Sequence, residues 1–279
     1  GVPRALEALE RTDVVSCFKG GAEPVYQIGP EQQLQAAYYR NTVIHFFLSP
    51  AIAELALLRA AGADVVDPVD EFWEEAMRLR DLLKFEFFFA EKEIFRGELQ
   101  REVAMSDVDW ERKLGAGGEA ILQLLRRFKP FSAHRVLRPF VEAYQIVGDH
   151  LERRDASQPF DEPGFVSECL GLGRQYHLQR RVHSAASVSQ VLIQTAIRLA
   201  RNRRLLEPGP PDLAQRRRAF AEQIRSAVAT GSRKPSDFAI FYRVNALSRA
   251  LEKALRGAGV PYQMVRGQEF YARKEIKEP

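Results

Sequence analysis

The 279-residue chain has few of the residues that staple or arm a protein. It holds two cysteines, Cys17 and Cys169, which form no C-x-x-C pair and no Cys/His cluster. This excludes a disulfide framework and a structural zinc site. The two read as reduced structural thiols, which suits a cytosolic setting. Of the five histidines, one has an aspartate five positions later, His150 with Asp155 in "HLERRD". The phosphate-cradling loop G-x-x-x-x-G-K-[ST] is absent from the sequence, which excludes P-loop nucleotide hydrolysis by this chain. No cofactor and no metal are expected.

Long uncharged apolar runs are also missing. The most apolar segment, Val43 to Ala61, contains His45, Pro50, Glu54 and Arg59. Charges near the middle of a span are costly in lipid, so a core helix pair broken at "SP" is expected there. Contact with a membrane surface stays open, and the triplet Phe87–Phe89 could join it. Three adjacent aromatics on a helix point in different directions, however, which suits burial between neighbouring helices. No signal-peptide pattern is visible. The start at Gly1 and the end at "KEIKEP" read as a missing native start and a cut inside an element.

What is present describes a folded protein. Apolar residues make up 46% and charged residues 28%, a globular and not a disordered balance. The length suits one large domain or two ordinary ones. The net charge of +4 hides an asymmetry. Residues 201–279 carry 17 Lys/Arg against 8 Asp/Glu, whereas residues 1–200 carry 24 against 29. A basic tail can meet phosphates, or can be a solvated face.

From about Gln32 to Leu206 the apolar spacing is helical, and the expected fold is mainly α, a bundle of about six to eight helices. In "PVDEFWEEAMRLRDLLKFEFFFAEKEIFRG", Asp70 is a candidate N-cap. Phe72, Ala76, Leu79, Leu83 and Phe87 make one apolar face, and Gly97 is a candidate stop. A second helix starts at Ser132 and repeats the pattern through Leu137, Val141, Tyr144 and Val147. A third runs through Val188, Val191, Leu192, Thr195 and Leu199. After about residue 220 the character changes. Ala219–Ala229 is helical, "GSRKPSD" is a loop, and Asp237–Gly267 reads as strand, helix, strand. This is a small α/β fragment with a right-handed parallel crossover expected.

Candidate binding residues follow from charge and position. Arg180, Arg181 and His183 in "RRVHSAAS" sit where the N-terminus of the next helix could hold a phosphate on its free N–H groups. Ser184 or Ser187 as an ordinary N-cap is the structural alternative. Arg40 and Asn41 in "YYRN" fit either a polar contact at a domain interface or substrate binding.

Three blocks, "AAYYRNTVIHFF" (Ala36–Phe47), "LLKFEFFFAEKEI" (Leu82–Ile94) and "LGRQYHLQRRVHSAASVSQVLIQTAIRLA" (Leu172–Ala200), resemble the region C-terminal to the catalytic domain in membrane-associated glycerol-3-phosphate acyltransferases. The resemblance runs from about residue 23 to about residue 220. It implies a helical region, domain 1–215, that packs on an acyltransferase domain. That domain moves an acyl group from a thioester to the first hydroxyl of glycerol 3-phosphate, in phospholipid biosynthesis. It also implies a cytoplasmic location, peripheral at the inner membrane, and a catalytic-domain partner that is missing here. The family's catalytic His-x4-Asp pairs a general base with the group that orients it. His150 and Asp155 match the spacing in the wrong place, so the chain carries the accessory region without the active site.

"DFAIFYRVNALSRALEKAL", "GVPYQMV" and "FYARKEIK" resemble the start of the second RecA-like domain of UvrD-like superfamily 1 helicases, as a partial domain 220–279. The resemblance implies single-stranded DNA as a partner, through Arg243, Arg249, Tyr271, Arg273 and Lys274, a basic strip with aromatic interleaving. The motor motifs are missing, so ATP hydrolysis is not expected. The chain thus reads as two incomplete pieces joined near Arg216–Arg225, with catalysis expected from neither.

Overall fold

The computed structural model describes residues 2–21, 23–62, 64–128 and 133–230. The strand–helix–strand expected over Asp237–Gly267 lies outside them, as do Arg243, Arg249, Tyr271, Arg273 and Lys274. The described part is mainly α. An N-terminal helix α1 (Val2–Arg11) leads into a hairpin of β1 (Ser16–Phe18) and β2 (Val25–Gln27). The two strands pair antiparallel with Cys17 opposite Tyr26. Ten helices follow among the described residues: α2 (Gln33–Val43), α3 (His45–Ala60), α4 (Pro68–Leu83), α5 (Lys92–Ser106), α6 (Trp110–Gly115), α7 (Gly118–Leu125), α8 (Arg138–Arg153), α9 (Glu162–Leu178), α10 (Gln190–Asn202) and α11 (Leu213–Thr230). Two 3-10 turns, Ala133–Leu137 and Ala185–Ser187, precede α8 and α10. The total exceeds six to eight because "AMSDVDWERKLGAGGEAILQLL" splits into short helices at Asp107–Asp109 and at Gly117, which sits at φ 78°.

Helices α3 and α8 organise the packing. Helices α4, α5, α7 and the turn 133–137 pack on α3, and α9, α10, α11 and the turn 185–187 pack on α8. The stretch Ala51–Leu57 of α3 is buried on every side, which accounts for its apolar sequence without lipid. One continuous core runs from Ile44 through Tyr144 to Ala227.

Several local expectations shift. Helix α3 runs through Pro50, so the break expected at "SP" falls instead at Ile44, between α2 and α3. Asp67, not Asp70, caps α4: its carboxylate accepts from the N–H groups of Val69 and Asp70, and Pro68 fills the first helical position, where no N–H is needed. The break falls at Lys84–Glu91, while Gly97 lies inside α5. There the backbone leaves the helix so that Phe87 can pack edge-on against Phe140 and Phe89 against Phe95. Phe88 is left pointing to solvent, so only part of the triplet is covered. In α10, Val191 faces outward, because the inward stripe is Ile193, Ala196, Ile197 and Ala200.

Helix α11 completes the bundle. It crosses α8 where Gly148 leaves room. A Cβ at Gly148 would stand 3.1 Å from Ile224 Cδ1 and 3.3 Å from Ala221 Cα. Arg217, fully buried, donates from Nε to the Leu205 carbonyl (2.7 Å) and from Nη2 to the Leu206 carbonyl (2.8 Å). Its Nη1 reaches the carbonyls of Arg154 and Asp155. One guanidinium thus ties the segment after α8 to the segment after α10, and burial holds its pKa below the usual arginine value.

Glu86 lies half-buried beside the Tyr144 hydroxyl, which donates to it at 3.3 Å. Burial pushes its carboxyl from 4.5 up to about 7, partly offset by Tyr144, Thr195 and Arg198. Such a group holds its proton in the fold and loses it on unfolding between those two values. Its contribution is full below the unfolded pKa and is lost as pH rises through about 7. The chain's stability is therefore expected to fall by about 3 kcal/mol across that window relative to Glu86→Gln. Urea unfolding of both proteins at about pH 5 and about pH 8 checks this, and parallel pH profiles would contradict it.

Candidate functional site

The structure places the expected site residues of the helical region on neighbouring elements. Arg40 lies near the end of α2, and α2 packs against the turn Ala185–Ser187 that follows the "RRVHS" segment. Helix α9 stops at Leu178, and Arg180 takes the left-handed conformation (φ 58°). This lets the N–H groups of Arg181 and Val182 reach back to the Tyr176 carbonyl. The arginine side chain is left exposed. Arg181 folds over the Tyr176 ring, 3.9 Å from its centroid, and reaches Asp149 Oδ2 at 3.4 Å.

Asp149, on α8, is a buried hub. It accepts from the Tyr176 hydroxyl (3.0 Å) and from Arg225 of α11 (2.9 Å), so it joins α8, α9 and α11. Arg225 also bonds Glu152 at 2.7 Å.

The backbone donors that could have met a phosphate already have an anion. Glu142, buried on α8, accepts from the His183 N–H (3.0 Å), the Ser184 N–H (3.0 Å) and the Ser187 hydroxyl (2.7 Å). His183 Nδ1 stands 3.3 Å from the same carboxylate. Ser187 therefore bonds Glu142 and does not cap α10, whose N-cap position is held by Ser189. Ser184 stands at the N-cap position of the short turn without a side-chain cap. A carboxylate facing consecutive N–H groups makes charge-assisted bonds worth about 1.5–3 kcal/mol each.

The same device recurs at the other hub. Glu54, buried on α3, meets the His134 N–H (3.0 Å) and His134 Nδ1 (2.7 Å) through Oε2. Each 3-10 turn is thus seated on a central helix by a buried glutamate that meets one histidine at two atoms. His150 and Asp155 are not brought together. His150 Nε2 bonds Glu168 at 2.7 Å and its ring stacks on Phe165, while Asp155 accepts from the N–H and hydroxyl of Ser157.

Arg40, like Arg217, has no ion-pair partner among the described residues. It is half-buried and donates to Asn41 Oδ1 at 3.1 and 3.0 Å. Burial holds its pKa below the usual arginine value, with no carboxylate among the described residues countering the shift.

Sequence reading did not single out Glu142, Asp149, Arg217 or the role of Glu54. The available signal was a charge placed within a strongly apolar helical pattern, as in "AIAELAL" and "PFVEAYQIVGD".

Comparison with known proteins divides the chain in two. The profile of the glycerol-3-phosphate acyltransferase C-terminal region matches residues 1–209. That of the UvrD-like helicase C-terminal domain matches residues 210–278. Proteins named as acyltransferase plsB1 in Mycobacterium tuberculosis and Mycobacterium bovis are 42% identical over 225 residues, which is 80% of this chain and 36% of each relative. The chain thus spans about a third of their length. The ATP-dependent DNA helicase PcrA of Bacillus subtilis is 52% identical over 58 residues, 21% of this chain and 8% of that protein. No solved structure matches. Helix α11 lies inside the helicase-matched segment, yet Arg217, Phe220, Ile224 and Ala227 are buried in the helical bundle.

Glu142→Gln keeps the shape but replaces one acceptor oxygen by a donor that faces donors. It is expected to cost about 2–4 kcal/mol and to deprotect the amides of His183 and Ser184. Urea unfolding with hydrogen exchange checks both effects, and unchanged exchange at the two amides would contradict the clamp.

Proposed function

The chain belongs to the glycerol-3-phosphate acyltransferase C-terminal region family, and we propose that it serves as the accessory helical region of a glycerol-3-phosphate 1-O-acyltransferase. The reaction is acyl transfer from an acyl thioester to glycerol 3-phosphate, carried out by a catalytic domain on which this region docks. The match over residues 1–209 carries the reading. Its support in geometry is that the polar groups of the helical region hold helices together. Glu142, Glu54 and Asp149 are engaged with partners of the same chain, and His150 and Asp155 are apart. The region acts by shape and surface, and the chain alone does not transfer acyl groups. The phosphate contacts it contributes, in this reading, are the side chains of Arg40, Arg180, Arg181 and His183. Its place is cytoplasmic, peripheral at the inner membrane.

The test is reconstitution. The chain alone is expected to show no acyl transfer to glycerol 3-phosphate. Joined to the N-terminal two thirds of the plsB1 relative, in place of that relative's own C-terminal region, it should restore at least a tenth of the parent activity. A soluble, folded chimera without activity would contradict the reading.

A second reading is favoured by the helicase match alone: residues 210–278 form a single-stranded DNA-binding segment without a motor. Its contacts would be Arg243, Arg249, Tyr271, Arg273 and Lys274. It requires oligonucleotide binding with a salt slope that drops by about one when a phosphate-contacting arginine or lysine is replaced. Absence of binding at low salt removes it.

A further inference from the structure

The elbow between α2 and α3 carries an unusual surface. Tyr38 is 68% exposed, Tyr39 44%, Val43 43%, Phe46 71% and Phe47 41%. Five large apolar side chains within ten residues thus face outward at one bend, while α3 beyond Leu48 is spent on the core. Isolated exposed apolar residues need no explanation, but a cluster of this kind marks a contact surface.

Its charge pattern says what kind. From Gln32 to Ala53 there is no aspartate or glutamate, and Arg40 is the one arginine or lysine. That arginine bonds an asparagine amide, whereas Arg181 and Arg225 are held by carboxylates. A cation without a carboxylate partner among the described residues, following two exposed tyrosines in α2 and preceding two exposed phenylalanines in α3, matches the layer of a bilayer where aromatic rings sit at headgroup depth and phosphates lie next to them.

Geometry fixes the mode of contact. The segments Gln35–Val43 and His45–Ala60 together have the length and apolarity of a span, but they meet at 81°. Helix α2 rises only about 16 Å along its axis, against a hydrocarbon core of about 30 Å. Helix α3 cannot supply the rest, because Ala51–Leu57 are buried in the protein's own core. The elbow therefore suits contact with the surface of a bilayer and not a crossing of it. Behind it, α2 rests on the turn Ala185–Ser187 that Glu142 holds, so the surface is presented from a fixed seat.

We propose that this elbow is a monotopic lipid-binding surface, in which Tyr38, Tyr39, Val43, Phe46 and Phe47 enter the interfacial layer and Arg40 meets the phosphate of an anionic lipid. The inference rests on the peripheral location proposed above, but its test uses no acyl-transfer readout, so either reading can fail alone.

The experiment is sedimentation of the full chain with vesicles of phosphatidylcholine, with and without phosphatidylglycerol. The wild-type chain is expected to bind the anionic vesicles. Tyr38→Ser/Phe46→Ser should weaken that binding about tenfold or more with its urea midpoint unchanged, since both side chains are exposed. Arg40→Gln should reduce the preference for the anionic lipid. The basic segment 201–279 is intact in every variant and cancels from the comparison. In Phe46→Trp, anionic vesicles should blue-shift the added fluorescence, and bilayer-embedded brominated lipid should quench it. Equal binding by the wild-type and the double variant overturns the proposal. So does an absence of vesicle binding, or an elbow that instead holds a second copy of the chain or the catalytic region of the relative.

Discussion

The described structure depends on burying carboxylates against backbone N–H groups that no helix could satisfy. A segment that changes direction between two helices exposes several N–H donors, and in a core these must find acceptors. Glu142 supplies its two oxygens to two such N–H groups, of His183 and Ser184, and to the Ser187 hydroxyl, and Glu54 accepts from the N–H of His134. Each glutamate stands in a buried, mostly apolar stretch of its helix, so the charge is tolerable only because the donors face it. The consequence is directional. The two 3-10 turns cannot slide along α3 and α8, and the elements resting on them, α2 above all, inherit their position.

This use of charge also bears on function. A cluster of arginines and a histidine ahead of a helix has the outward signature of an anion site. Here the cluster encloses its own anion, and Arg181 is further engaged by Asp149 and by the face of Tyr176. The groups left facing solvent at its edge are Arg180 and the imidazole of His183, with the half-buried Arg40 on the neighbouring helix. An accessory region built in this way contributes a shaped, partly cationic surface beside an aromatic elbow. That suits docking to a catalytic domain and to a lipid surface better than it suits chemistry.

Much of the bundle was legible because helical spacing survives in "FWEEAMRLRDLL" and "FVEAYQIVGDHL", where a single face is buried. It failed where a local rule was overridden. The phenylalanines after Leu83 look like a continuing stripe, yet Phe87 and Phe89 bury better when the chain leaves the helix and turns them toward Phe140 and Phe95. Val191 satisfies the period of α10 but is left exposed, while Ile193 and Ile197 are fully buried. The carboxylate clamps were unreadable because their partners lie 41 and 80 residues away in sequence. Long-range pairing leaves no local period. Of the site, the clustering of "RRVHS" and the isolation of Arg40 were visible, while the anion that fills the cluster was not.

At the boundary of the helical region the family profile stops short of the packing. The acyltransferase family profile ends at residue 209, whereas the plsB1 relatives align over 225 residues, 80% of the chain, and the buried contacts of Arg217, Phe220 and Ile224 place α11 within the bundle. The central claim is that the acyltransferase-like region is one cooperative unit completed by this helix. Urea unfolding of two shortened chains, one ending after Thr230 and one after Gly209, tests it most directly. The account predicts that the first unfolds in a single transition at the midpoint of the full chain's helical region. The second should lose at least half of that stability, because the carbonyls of Leu205 and Leu206 lose Arg217. Equal midpoints for the two would contradict it.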